Sequence, residues 1–278
     1  MKMIFGTFVA LVILYSVFLH YAPRPAVEAM QSQWQDNRFK LEKYRRLTIA
    51  PDVVVVGSSL SDRLKFEGEG GCVYNMALAG DSSLTGMGEL LVSKNLPKMV
   101  LVEINVPQKG LNQDLIDHAS SWTEKLSPIF YTDNIPINRL FSYVASMRKH
   151  DDSHDVVSKS AFEDALAMQT REFASNIPEP EFTRDMARFE SLVSRLESKG
   201  VKVAFFDIPI QPVLEGSKRA EQIRDRFRST FPANEQISYR ALSTGVSIRT
   251  HDGLHMYSDS ARGVVGNLKP FYQWACKS

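Results

Sequence analysis

Cysteine is scarce in this 278-residue chain, which contains only Cys72 and Cys276. Two cysteines exclude a disulfide-dense scaffold and a zinc site built from four cysteines. Residues 51–278 also lack any Lys- or Arg-rich stretch and sum to a net charge of −3, whereas residues 1–50 carry +4. A region of that charge is a poor candidate for binding along nucleic-acid phosphates. We therefore expect no nucleic-acid partner.

Charged side chains are absent from residues 3–22, MIFGTFVALVILYSVFLHYA. A helix of twenty residues is about 30 Å long, which matches the hydrocarbon core of a bilayer. A cleaved signal peptide is an alternative, but its apolar core usually takes about 7–15 residues and ends in a small-x-small site. If cleavage followed Ala22, the first small position of the site would be taken by His20, which is not a small residue. Pro23 would come directly after the cut.

We expect residues 1–22 to be an uncleaved transmembrane anchor, with a cleaved signal or a buried soluble helix as the alternatives. A two-residue amino-terminal tail usually stays in the cytoplasm, although the flanking basic residues are nearly balanced. The predicted localisation is the cell inner membrane, with a single pass and the following domain outside the cytoplasm, in the periplasm.

Residues 23–50 are predicted to form a basic stalk, because residues 26–47 contain no Gly or Pro and follow an amphipathic helical pattern. Its basic side chains could meet anionic lipid headgroups. The alternative, which we favour, is a solvated stalk helix that packs on the domain through its few apolar residues.

Short apolar runs separated by helical patterns fill most of residues 51–278. The runs lie at residues 53–56, 72–78, 99–104, 201–208 and near 237–242. β-branched runs of this length indicate strands buried on both faces, and their alternation with helices is typical of an α/β fold with a parallel sheet. We predict one such domain over residues 51–278, with a helical insertion at about 108–180.

Two strand ends carry residues suited to acyl chemistry. The first strand leads directly into Gly57-Ser58-Ser59-Leu60, and a serine at a strand-to-helix turn is well placed as a nucleophile. The second strand leads into residues 75–83, where the amide of Gly80 could face a developing oxyanion. Small residues are also common in ordinary tight turns, so each motif alone leaves a purely structural interpretation open.

A third motif, residues 251–255 (HDGLH), lies just before the last predicted helix. An Asp three residues before a His lets the carboxylate reach Nδ1, which leaves Nε2 free to act as a base. The candidate pair is Asp252 and His255. A metal site would need a third ligand and only His251 is at hand, so we predict no metal.

Together these motifs resemble the SGNH (GDSL-like) hydrolase superfamily over residues 52 to about 270. Residues 57–60 match the family's Gly-Asp-Ser-Leu block, residues 77–82 are similar to its Gly-x-x-Gly-Asp-Thr block, and residues 252–255 are similar to its Asp-x-x-His block. The resemblance implies a three-layer α/β/α fold with a central parallel five-stranded sheet, here preceded by a transmembrane helix.

The resemblance also implies roles for individual residues. Ser59 would be the nucleophile, His255 the general base and Asp252 the acid that orients it. The amides of Ser59 and Gly80 would form the oxyanion hole. Asn105 would donate its side-chain amide as a further oxyanion donor.

Two blocks depart from the family pattern. Ser58 stands where the family has Asp, which is more similar to membrane-tethered relatives that acylate cell-envelope polymers than to secreted lipases. The third block, Gly-x-Asn-Asp, is not intact, because residues 103–107 read EINVP and their Asn comes about two residues early. The oxyanion role of Asn105 is therefore open.

The expected function is O-acyl transfer, most simply of acetyl groups, to an envelope or exported polysaccharide through an acyl-serine intermediate. The resemblance implies an acyl donor, a polysaccharide or small ester substrate, the membrane, and a polytopic membrane-bound O-acyltransferase as partners. No cofactor is expected. The alternatives are a carbohydrate or lipid esterase, and a non-catalytic scaffold of a polysaccharide-modifying membrane complex.

A disulfide between Cys72 and Cys276 is also predicted, provided that the domain lies outside the cytoplasm. Cys72 begins the second strand at the amino edge of the sheet. The last helix starts near the carboxyl edge and runs back, so Cys276 ends at the same amino edge.

Overall fold

The computed structural model describes residues 2–66, 68–120, 128–147, 157–241 and 248–276. The strands are β1 (Val53–Val56), β2 (Val73–Asn75), β3 (Met99–Glu103), β4 (Lys202–Asp207) and β5 (Ile237–Ala241). The helices are α1 (Lys2–Tyr21), α2 (Gln33–Arg45), α3 (Ser59–Asp62), α4 (Ser83–Val92), α5 (Gln113–Ala119), α6 (Pro136–Met147), α7 (Lys159–Phe173), α8 (Glu179–Glu197), α9 (Pro212–Glu215), α10 (Lys218–Thr230) and α11 (Ser258–Cys276). Short 3-10 turns occur at Pro107–Lys109, Pro128–Phe130 and Thr132–Asn134.

The five strands form one sheet in the order β2-β1-β3-β4-β5, and every neighbouring pair is parallel. All four valines of β1 are completely buried, which explains why this strand is an unbroken β-branched run. Helices flank the sheet. The predicted α/β fold with a parallel five-stranded sheet is confirmed.

The chain divides into two compact units. The first consists of Met1–Lys43 with Asp114–Asp151, and the second of Tyr44–Gln113 with Asp152–Ser278. The sheet belongs entirely to the second unit. Residues 150–155 (HDDSHD), a polar run for which the sequence favours an exposed loop, lie outside the described residues.

Close packing of helix α4 on β1 depends on Gly86. A Cβ atom at this position would lie 2.7 Å from Cγ1 of Val56, closer than real Cβ contacts allow. Next to β4, the rings of Phe205, Phe227 and Phe231 cluster with Tyr239 on β5. The sheet is therefore held by apolar contacts that reach its last strand.

Helix α11 returns to the amino edge of the sheet, where Cys276 forms a disulfide with Cys72. The two Cα atoms are 5.6 Å apart, within the usual range for a disulfide. The predicted pairing is confirmed.

In the first unit, α1 is long and apolar enough to cross a membrane, with none of its window Ile4–Tyr21 buried. Helix α2 begins later than the predicted helix at residues 26–47, because the Ser32 hydroxyl accepts a hydrogen bond from Gln35 N and so caps the helix at its start. Two basic side chains of α2 pair with acids, Arg38 with Glu42 and Lys43 with Glu28, each at 2.6 Å.

Candidate active site

Ser59 lies at the turn between β1 and the short helix α3, of which it is the first residue. Ser58 caps this helix, because its hydroxyl accepts a hydrogen bond from Leu60 N. The first amide of a helix has no acceptor within the helix, so Ser59 N–H remains available to a ligand. The residue thus presents a hydroxyl and an amide at the carboxyl end of β1.

The structure brings Ser59, His255 and Asp252 into one hydrogen-bonded chain. Ser59 Oγ lies 2.8 Å from Nε2 of His255, and Nδ1 of His255 lies 2.7 Å from Oδ2 of Asp252. The other carboxylate oxygen, Oδ1, accepts hydrogen bonds from the amides of His255 and Leu254 at 2.8 and 3.0 Å. The Asp252 carboxylate therefore fixes both the imidazole ring and the backbone turn that carries it.

The protonation state of Asp252 follows from these bonds. Partial burial works to raise the pKa of this carboxyl, but hydrogen bonds from the ring and the amide of His255 outweigh it and lower the pKa from 3.8 to about 2. Asp252 is therefore ionised at neutral pH. An ionised carboxylate at Nδ1 holds the proton there and leaves Nε2 as the acceptor for the Ser59 proton.

Strand order explains why this site forms at the β1 end of the sheet. The connection that leaves β1 runs to β2 on one side, and the connection that leaves β3 runs to β4 on the other, so β1 and β3 flank a topological switch point. Ligands of open parallel sheets bind at the carboxyl ends of strands at such a point.

Gly253 fits the turn at Asp252 because its φ is +95° and a Cβ there would lie 2.7 Å from Leu166.

Gly80 lies in a loop that the structure joins to the Ser59 turn. Leu78 N donates to the carbonyl of Gly57 at 2.9 Å, and Asp81 N donates back to Leu78 O. Gly80 has a φ of +75°, a left-handed conformation that glycine adopts without strain. The segment containing Gly80 therefore begins directly beside the Ser58–Ser59 turn, and the oxyanion role of its amide stays a prediction.

Both polar atoms of the Asn105 side chain contact the backbone of Ile208, the residue that follows β4. Its Nδ2 donates to the carbonyl of Ile208 at 2.8 Å, and its Oδ1 accepts from the amide of Ile208 at 2.7 Å. The side-chain amide of Asn105 thus makes the two hydrogen bonds that a backbone amide and carbonyl would make to Ile208, at the point where β3 and β4 end. Because a side-chain amide nitrogen carries two hydrogens, the bond to Ile208 leaves one of them for another acceptor, and the oxyanion role of Asn105 stays a prediction.

The sequence interpretation missed a role for Glu103, the last residue of β3. This side chain is 2 % exposed, and its carboxylate accepts four hydrogen bonds from Ser58 and Ser61, one from the amide and one from the hydroxyl of each. Burial raises the pKa of Glu103, and the four hydrogen bonds oppose that rise. The sequence signal for this role is an acidic residue at the last position of an otherwise apolar strand.

Other polar features of the second unit lie apart from the Ser59 chain. A cavity of about 470 Å³ is lined by residues of β4, α9 and α10, among them Asp207 and Arg224, and by none of Ser59, Asp252 and His255. Arg224 Nε pairs with Asp207 at 2.6 Å, so these charges compensate each other. Among the described residues, no group of three or more His, Cys, Asp or Glu side chains is arranged to hold a metal ion.

Comparison with known proteins gives one structural likeness. No protein-family model and no curated protein matches the chain. A solved structure of a candidate platelet activating factor from Streptococcus pneumonia is similar, with a TM-score of 0.46 and 10% sequence identity, over 95% of this chain and 98% of that one.

Proposed function

We propose that this chain is a serine acyl-ester enzyme that forms an acyl intermediate on Ser59. The observation that carries the proposal is the continuous chain from Ser59 Oγ through His255 to Asp252, with distances of 2.8 and 2.7 Å. This is the arrangement in which a serine hydroxyl is activated by a neutral imidazole whose other nitrogen is held by a carboxylate. Its resemblance to the SGNH pattern agrees with that chemistry.

The proposed reaction proceeds in two halves. In the first, Nε2 of His255 accepts the Ser59 proton while Oγ attacks the acyl carbonyl, and the amides of Ser59 and Gly80 stabilise the oxyanion. His255 then gives its proton to the leaving alcohol as the old ester bond breaks. In the second half, an acceptor hydroxyl loses its proton to His255 and attacks the acyl carbonyl to form the new ester. The bond between Ser59 Oγ and the acyl group breaks, and His255 returns the proton to Oγ.

We further propose that the acceptor is a sugar hydroxyl of an exported polysaccharide, with hydrolysis by water as the alternative second half. The resemblance of the Gly-Ser-Ser turn to envelope-acylating relatives supports this choice. The apolar helix α1 supports anchoring at a membrane. The Cys72–Cys276 disulfide supports placement of the second unit outside the cytoplasm, because disulfides persist in oxidising compartments.

A fluorophosphonate probe tests the acyl-serine proposal directly. We expect the full-length protein to be labelled, and Ser59→Ala to abolish labelling while leaving the protein folded. Ser175→Ala, at an exposed serine, is the matched control and should label at the wild-type rate. Absence of labelling in well-folded wild-type protein would contradict the proposal and favour the scaffold alternative.

Transfer and hydrolysis are separated by a cell experiment. Replacing the wild-type gene with the Ser59→Ala variant should reduce the ester-linked acyl content of the exported polysaccharide, and Ser175→Ala should not. Normal polysaccharide acylation, together with loss of ester hydrolysis by the purified variant, would assign the enzyme to the esterases. The labelling result would stand in either case.

A further inference from the structure

The outer side of helix α6 is an apolar surface. Its five exposed side chains follow the i, i+3, i+4, i+7 spacing of one helix face and are 40–81% exposed: Ile137, Leu140, Phe141, Val144 and Met147. We call these residues the α6 apolar face. The one charged residue of the helix, Arg139, is 7 % exposed, so no charge interrupts the face.

The buried side of α6 is bonded to the chain that follows α1. Tyr143 Oη donates to the carbonyl of Pro23 at 2.6 Å, and Arg139 donates to the same carbonyl at 3.3 Å. Farther along, the Ser142 hydroxyl donates to the carbonyl of Ala29 at 3.0 Å. Helix α6 is thus fixed immediately beyond the carboxyl end of α1.

The segment before α6 overlaps the last turns of α1 itself. Tyr15 Oη donates to the carbonyl of Asn134 at 2.6 Å, and the 3-10 turn Pro128–Phe130 also contacts α1. Tyr15 lies six residues before the end of α1, which is about 9 Å along its axis. If α1 crosses a bilayer, the segment that leads into α6 therefore lies about 9 Å inside the end of the spanning helix, within the roughly 5–10 Å to which interfacial helices reach.

We propose that the α6 apolar face binds the lipid bilayer as an interfacial helix, beside the point where α1 leaves the membrane. An apolar helix face without charge, held at interfacial depth, is stabilised by contact with acyl chains near the headgroup boundary. This inference rests on the proposed anchoring by α1 and is independent of chemistry at Ser59. The first unit then contacts the membrane twice: α1 spans the bilayer, and the α6 apolar face lies at its surface.

The test uses full-length protein in nanodiscs and a tryptophan introduced on the face, Phe141→Trp. The chain has three native tryptophans, so the added fluorescence is the variant signal minus the wild-type signal. Lipids brominated on their acyl chains quench tryptophans that touch them. We expect quenching of the added signal by about twofold or more, because interfacial helices bury their apolar face at the acyl boundary.

Control positions make the result decisive. Val213→Trp, at an exposed position of the second unit, should not be quenched, whereas Phe8→Trp on α1 should be. A second variant on the face, Leu140→Trp, guards against poor folding of the first. Quenching at position 8 without quenching at 140 and 141 would overturn the inference and leave the anchor intact.

Two further outcomes would also overturn it. Absence of quenching at position 8 would remove the anchoring on which the inference depends. Unquenched tryptophans at 140 and 141, with cross-linked pairs of chains in the same disc, would show that a second copy covers the face.

Discussion

The carboxylate of Glu103 accepts hydrogen bonds from both the amide and the hydroxyl of Ser58, each at 2.8 Å. Two more bonds come from Ser61, at 3.2 Å from its amide and 2.6 Å from its hydroxyl. One buried acid at the end of β3 therefore holds the residues on both sides of Ser59. The position of the proposed nucleophile depends on a side chain from a neighbouring strand.

Substitutions of Glu103 distinguish the stability that comes from its hydrogen bonds from the stability that comes from the volume of its side chain. Glu103→Gln keeps an oxygen at the position of Oε2, which accepts three of the four hydrogen bonds. Its NH2 group then faces the Ser58 hydroxyl, which must reverse its hydrogen bond. We therefore expect the free energy of unfolding to fall by about 1 kcal/mol. Glu103→Ala leaves several buried donors unpaired and should lose about 3 kcal/mol or more. The measurement is urea unfolding, together with probe labelling of Ser59 per folded molecule.

We expect that labelling rate to fall about tenfold or more in Glu103→Ala, because small displacements of a reacting group are costly. Glu190→Gln, at an exposed acid of α8, is the control and should change neither quantity. Wild-type labelling by folded Glu103→Ala protein would show that Glu103 does not position Ser59.

Gly57 provides a second probe of the same turn. A Cβ atom here would lie 2.5 Å from Oε2 of Glu103 and 2.6 Å from Oγ of Ser61, so Gly57→Ala must displace the carboxylate or the helix start. We expect a loss of about 1–3 kcal/mol in stability, as for overpacked cores, and slower labelling of Ser59.

The matched control is Gly266→Ala. A Cβ at Gly266 meets nothing within 4 Å, and the position lies inside α11. Alanine is the better helix former by about 0.8–1.0 kcal/mol, so this variant should be as stable as the wild type or slightly more so. Equal behaviour of the two variants would contradict the close packing at Gly57.

Strand identity was predictable from the sequence because buried parallel strands are continuous apolar runs, as in β1. The residues at which each strand begins and ends were less predictable. The prediction extended the second strand to residue 78, whereas β2 ends at Asn75, whose side-chain amide donates to the carbonyls of Ser61 and Leu64. Such a bond across the fold has no local sequence signal.

The same distinction applies to the site. Ser59 and the Asp252–His255 pair were predictable because each motif is local and the strand order brings their ends together. The contacts of Glu103 and Asn105 were not, because their partners lie 42–45 and 103 residues away in sequence. Helix α10 was overlooked although Ala220, Ile223 and Phe227 bury one face of it, since charged residues dominate its composition.

The Cys72–Cys276 disulfide should contribute strongly to stability. It links residues 204 apart in sequence, and cross-links that close long loops restrict the unfolded chain most. The double variant Cys72→Ser/Cys276→Ser should lose about 2–5 kcal/mol in urea unfolding. Reductant should lower wild-type stability to that of the variant and leave the variant unchanged. A wild-type protein with two free thiols by mass, after isolation from an oxidising compartment, would contradict the pairing.

The lowered pKa of Asp252 predicts how stability depends on pH. Because its pKa falls from 3.8 to about 2 on folding, the native protein binds fewer protons than the unfolded chain between these values. The Asp252 contribution is therefore fully present above about pH 4 and is lost as the pH falls towards 2, with a total of about 2 kcal/mol. We expect Asp252→Asn to remove this part of the acid dependence in urea unfolding.

The control for this experiment is Ser59→Ala, which leaves the bonds between Asp252 and His255 in place and should keep the acid dependence of the wild type. Asp252→Asn should also slow probe labelling of Ser59 by about 10³-fold or more, because the imidazole loses the carboxylate that holds its proton on Nδ1. An unchanged acid dependence in Asp252→Asn would show that the bonds to His255 do not lower the pKa of Asp252 on folding. Wild-type labelling by folded Asp252→Asn protein would show that Nε2 does not need this carboxylate to be fixed as the acceptor, and the order of proton transfers proposed for Ser59 would have to be abandoned.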